Sequence, residues 1–140
     1  MSLAVSATTD RLDILDLLHR YAMAVDERDG NAVADCFTEN GLFASSLTGS
    51  TQGRDAIRQL FTAKRERPAD SRRHFVANPV ISLQGNRATF RAYFLATRIR
   101  DGRVEVALTG QYRGVAVKEG DQWRLAERHM SADIGPKDWA

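Results

Sequence analysis

The sequence predicts an α+β fold in which three helices on the N-terminal side pack against a strongly curved antiparallel sheet and enclose a pocket with it. Three observations carry that expectation. Apolar residues recur at helical spacing through the first half. From Arg73 onward the chain is rich in β-branched and aromatic residues. The short turn signals "GN", "DG" and "EGD" divide that second half into hairpins.

Element by element, the first eight residues read as loose, and Thr9 or Asp10 offers an N-cap. Leu12, Leu15, Leu18, Ala22 and Val25 follow at helical spacing, until Gly30 ends the helix or its turn. "NAVADCF" predicts a short second helix burying Val33, Cys36 and Phe37, and "GLFASSL" a short strand. "GRDAIRQLFTAKRER" predicts a third helix with Ile57, Leu60 and Phe61 on its apolar side, closed by Pro68. The "PADSRR" loop then leads into four strands: "RHFVANPVISLQ", "RATFRAYFLATRIR", "RVEVALTGQYRGVAVK" and "QWRLAERHMSAD". Strands this long must twist and coil, and Pro79 inside the first of them marks an edge or a bulge that adds to the bend.

Length and composition bound the function. The 140 residues suit one domain, 1–140, with an ordered core over about 9–134. Hydrophobic residues at 43% and charged residues at 27% indicate a folded globular chain. No apolar run approaches the ~20 residues of a membrane span. "MSLAVSATTD" lacks the basic start and apolar block of a signal peptide. A single cysteine excludes an internal disulfide and suits a reducing cytoplasm. A net charge of +2, spread among acids, argues against nucleic acid. His19, His74 and His129 are scattered without metal-ligand spacing, so no metal or other cofactor is expected.

Within "LLHRYAMAVDERDG", Asp26 falls on a side of the first helix that should be apolar, with His19 pointing nearly the same way. An unpaired buried carboxylate is costly, so Asp26 must pair, protonate or face a cavity; a plain capping role in the "DERDG" turn is the simpler alternative. His74, at the start of the first long strand with Val76 and Asn78 on its face, is the natural partner. An aspartate bonded to an imidazole fixes its tautomer and strengthens the other nitrogen as a base.

Taken in order, "LLHRYAMAVDERDGNAVADCFTENGLF", "GRDAIRQLF", "RHFVANPVI" and "GDQWRLAERHM" resemble a SnoaL-like domain of the nuclear-transport-factor-2-like superfamily. The resemblance runs from about Asp10 to Asp133 and is strongest to the branch of scytalone dehydratase and hexachlorocyclohexane dehydrochlorinase. It implies a cone of bent sheet and three helices, with Asp26 and His74 as the catalytic dyad. It also implies that Arg128, after the last-strand tryptophan, is a basic site residue. Tyr21 stands where the dehydrochlorinase pattern has a lysine, a departure from that particular chemistry.

Tyr93 and Tyr112, with Phe90 and Phe94, occupy alternating strand positions from which some side chains line the pocket. Tyr21, Arg128, Tyr93 and Tyr112 are therefore the expected substrate-binding residues beside the catalytic Asp26 and His74. Cys36 reads as core, and the basic "KRERPADSRR" cluster as a solvated helix end and loop, with gating of the cone mouth or reception of an acidic substrate group as its alternatives. The sheet face away from the helices is expected to pack against further copies, as a dimer or trimer; Trp139 in the closing "GPKDWA" is a candidate for that interface. The expected function is a cofactor-independent lyase or isomerase acting on a small, hydrophobic, cyclic substrate. The alternative is a non-catalytic ligand-binding or assembly module, such as a dioxygenase β-subunit-like protein.

Overall fold

The computed structural model describes residues 3–65 and 71–138. Helix α1 (Leu3–Glu27) is followed by α2 (Gly30–Asp35), strands β1 (Phe37–Ser45) and β2 (Gly49–Gln52), and helix α3 (Arg54–Arg65). Four long strands complete the chain: β3 (Arg73–Gln84), β4 (Arg87–Arg100), β5 (Arg103–Glu119) and β6 (Gln122–Ala132). They form one six-stranded sheet in the order β2-β1-β6-β5-β4-β3, mixed α+β as expected. Pro68 and Trp139 lie outside the described residues. No helix among those described is long and apolar enough to cross a membrane.

The four long strands fall where periodicity and turn residues put them. Asp101 and Gly102 both take positive φ, the pair of left-handed residues a tight hairpin turn needs. Four differences concern the N-terminal half, the first that α2 stops at Asp35, so Phe37 opens β1 instead of closing the helix. α1 begins at Leu3, so Thr9 and Asp10 lie inside the helix rather than at its cap. Gly30 opens α2 instead of ending α1, and it is glycine because a Cβ there would meet the Thr62 side chain. The polar "GSTQ" forms β2, an edge strand with no apolar alternation to betray it.

The buried stripe of α1 is Ile14, Leu17, Leu18, Tyr21 and Ala24, and Leu12 is exposed. The predicted face is thus rotated. Leu18, Ala22 and Asp26 form one i, i+4 ridge along its margin, which carries Asp26 to the cavity while His19 is exposed.

The sheet bends through bulges. Relative to its neighbour, β3 carries an extra residue between Ala77 and Val80, at Asn78 (φ 54°) and Pro79. β5 and β6 each carry one as well, at Ala107 and Ala126. Each insertion increases local twist and kinks the strand. β1 and β6 run parallel, the one departure from the antiparallel pattern expected, because β1 enters the sheet from the helical layer rather than through a hairpin.

The concave face of β4 presents Ala88, Phe90, Ala92, Phe94 and Ala96 in strict alternation. Opposite Phe94 and Phe90 stand Gly110 and Gly114 of β5, and a Cβ at either glycine would collide with the facing ring. Rings laid over glycines let the wall curve inward without a void. The core between this wall and the helices includes the fully buried Ile14, Leu17, Val33, Phe37, Ile57 and Leu125. Each contributes roughly 1.5–3 kcal/mol through burial.

Asp10 secures one end of this arrangement. Its carboxylate accepts from the Trp123 indole N–H and from Lys118 Nζ, each at 3.0 Å, tying α1 to β6 and β5. These two donors, Trp123 foremost, hold its carboxyl below the usual carboxylate range against the opposing effect of burial.

Candidate active site

The helices and the concave wall form a partly open cavity of about 220 Å³. Asp26 reaches it from the last turn of α1. Arg28 then adopts the left-handed conformation (φ 56°), and the Asp29 amide bonds back to the Ala24 carbonyl, so the chain turns sharply away. Asp29, not Asp26, is the capping residue of this cluster: it accepts from the Ala32 amide at the start of α2.

A carboxylate near a helix C-terminus faces the unfavourable end of the macrodipole. Strong donors compensate. His74 supplies two of them at once, its ring and its main chain. His74 Nδ1 lies 2.6 Å from Asp26 Oδ1, and the His74 amide donates to Oδ2 at 2.9 Å and to Oδ1 at 3.2 Å. Both side chains are largely shielded, 16% and 22% exposed. With Nδ1 engaged on the carboxylate, Nε2 is the nitrogen left to exchange a proton.

Tyr21, Tyr112 and Arg128 line the same cavity. Tyr21 packs edge-on against Tyr112, with ring centroids 6.4 Å apart, and Tyr112 stacks on Phe94 at 4.7 Å. Arg128, only 5% exposed, places its guanidinium carbon 4.1 Å from the Tyr112 ring centre and 4.9 Å from those of Tyr21 and Phe43. Contacts of this kind return roughly 0.5–2 kcal/mol each. Withdrawing an unpaired ion from water costs several kcal/mol. The Nε of Arg128 is buried with no hydrogen-bond partner among the described residues. Burial pushes the Tyr21 hydroxyl well above its usual range, and Arg128 opposes that only in part, so Tyr21 stays neutral beside the cation.

Five of the six expected site residues thus meet in one cavity. Tyr93 does not. It is 57% exposed on the convex face, because period two sends it opposite to Phe94, whose ring lines the cavity. Asn78, expected on the face of His74, is exposed within the bulge. Phe43, Phe61, Leu108 and Met130 complete much of the apolar lining; Phe61 read as core, and the others carried no local signal. Lys64 and Arg72, from either side of the basic cluster, also line the cavity, together with Arg28. Cys36 is buried in the core, where burial raises its thiol above the usual range.

Fold and cavity define an α+β cone with an interior acid–imidazole pair. The chain belongs to the SnoaL-like domain family, which matches residues 6–129. No curated protein matches it. Among solved structures it is similar to an NTF2-like protein with a cystatin-like fold from Novosphingobium aromaticivorans. Identity is 25%, TM-score 0.86, with 94% of this chain and 87% of that one covered. A candidate aromatic ring hydroxylase from the same organism is 30% identical, with TM-score 0.75 and 91% of each chain covered. A candidate scytalone dehydratase, also from that organism, shares the fold at 19% identity, with TM-score 0.79 and 94% and 89% covered.

Proposed function

We propose that this protein is a cofactor-independent lyase, or failing that a proton-transfer isomerase, acting on a small ring-bearing molecule. The observation that carries the reading is the 2.6 Å contact of Asp26 with His74 Nδ1 at the wall of a mostly apolar cavity. Membership of a family that includes cyclases and dehydratases supports an enzyme.

In the elimination, His74 Nε2 takes a proton from a ring carbon, and the C–H electron pair becomes the new C=C bond as the neighbouring substituent departs. Where that substituent leaves as hydroxide, the imidazolium returns the proton to it and water results. A departing halide leaves with its own electron pair, and the proton passes to solvent. Asp26 keeps Nδ1 protonated and stabilises the imidazolium. Tyr21, Tyr112 and Arg128 surround the negative charge that develops on the substrate.

The test is turnover of a panel of cyclic alcohols and halides by wild type and by His74→Ala. Wild-type elimination that falls about 10²–10⁴-fold in a folded His74→Ala supports the reading. No wild-type turnover across the panel overturns it. The 30% identical candidate ring hydroxylase favours a second reading, an assembly module of an aromatic-oxidising complex, for which a stable hetero-complex without turnover is the expected outcome.

A further inference from the structure

We infer that the molecule held in this cavity is an acid: a ring-bearing carboxylate whose oxygens seat on Arg128. The inference rests on the proposed reading of the cavity as a substrate site. It adds that the charge is present before reaction rather than only as bonds break.

The reasoning begins with what Arg128 lacks. The residue is 5% exposed, and its Nε is buried with no partner among the described residues. Three aromatic rings surround the cation, yet ring faces do not satisfy the in-plane N–H donors of a guanidinium. The only carboxylate among the described residues lining the cavity is Asp26, and His74 already occupies both its oxygens. Tyr21, which stays neutral, provides no counter-charge. A planar fork of donors among the aromatic rings of a mostly apolar cavity matches the two oxygens of a carboxylate, which accept two parallel hydrogen bonds.

Position narrows the class further. Arg128 stands on β6 and His74 on β3, with β5 and β4 between them. At ~4.8 Å per strand this is about 14 Å along the bent sheet. Anchor and base therefore reach the one cavity from different strands, so a single ligand can meet both. Phe43, Phe94, Leu108 and Met130 supply an apolar wall suited to a ring.

The experiment is calorimetric titration of wild type, Arg128→Met and His74→Ala with two matched pairs: 1-naphthoate with 1-naphthamide, and benzoate with benzamide. Wild type is expected to bind at least one carboxylate about ten-fold more tightly than its amide. Arg128→Met abolishes that preference and His74→Ala keeps it. Should Arg128→Met fail to fold, Arg128→Lys serves instead: it retains the preference but loses affinity, because an ammonium cannot make the paired contact. The inference is overturned by equal or tighter binding of the amides, by a preference that survives Arg128→Met, or by neither carboxylate binding up to about 10 mM. The outcomes separate from those of the lyase reading. Turnover of neutral substrates without a carboxylate preference sinks this inference alone, and carboxylate preference without His74-dependent turnover sinks the lyase alone.

Discussion

At the residue scale, Asp26 does two jobs with one carboxylate: Oδ1 meets the imidazole and Oδ2 meets the His74 amide. Asp26→Asn therefore separates charge from shape. The amide oxygen can still accept from the main chain, but the negative charge that stabilises an imidazolium is gone. Turnover is expected to fall about 10²–10⁴-fold, with a stability loss of about 1–3 kcal/mol from the weakened acceptor, read by denaturant titration. Activity surviving intact would remove the acid from the mechanism. Asp26 was legible in the sequence because a carboxylate on the margin of a helical apolar stripe demands a partner. Tyr93 was misplaced because alternation says that neighbours in a strand face opposite ways and not which parity faces inward.

At the element scale, the least legible device is the bulge in β6. Trp123 and Leu125 point inward, and strict alternation would then send Glu127 and His129 after them. The extra residue at Ala126 reverses the parity, so Arg128 and Met130 enter the cavity while His129 is exposed. No local propensity announces such an insertion; only the likeness to a known family pointed to Arg128. Asp10 was misread for a related reason, since an acid at the expected cap position turned out to face inward on a longer helix. Its folded carboxyl titrates below the ordinary value of 3.8. A depressed folded pKa contributes stability that is present above the unfolded pKa and is lost as pH falls through the folded one. Acid unfolding of wild type should thus steepen below about pH 4, and Asp10→Asn should be less stable at pH 7 with a flatter acid limb. Parallel acid limbs for the two proteins would refute the assignment.

At the scale of the whole molecule, the order of helices, the four long strands and a cavity between helices and sheet were all readable from periodicity and turn chemistry. The parallel junction of β1 with β6 was not, because it depends on which distant segments meet when the sheet closes around the helices. The sheet strands β3, β4 and β5 leave Phe75, Val80, Tyr93, Ile99, Val104 and Val106 exposed. Exposed apolar area of this kind motivates the proposal that copies associate through the sheet. Sedimentation at micromolar concentration is expected to show a dimer or trimer for wild type and a monomer for Tyr93→Glu. A monomeric wild type would leave that face to another use.

The amide of residue 74 grips the aspartate whatever side chain that residue carries, proline excepted. Fastening and reactivity are therefore inherited separately. On the proposed reading, a single codon change at residue 74 removes the base and leaves the main-chain clasp on the aspartate, so a lineage built on this plan passes between catalyst and receptor without rebuilding its frame.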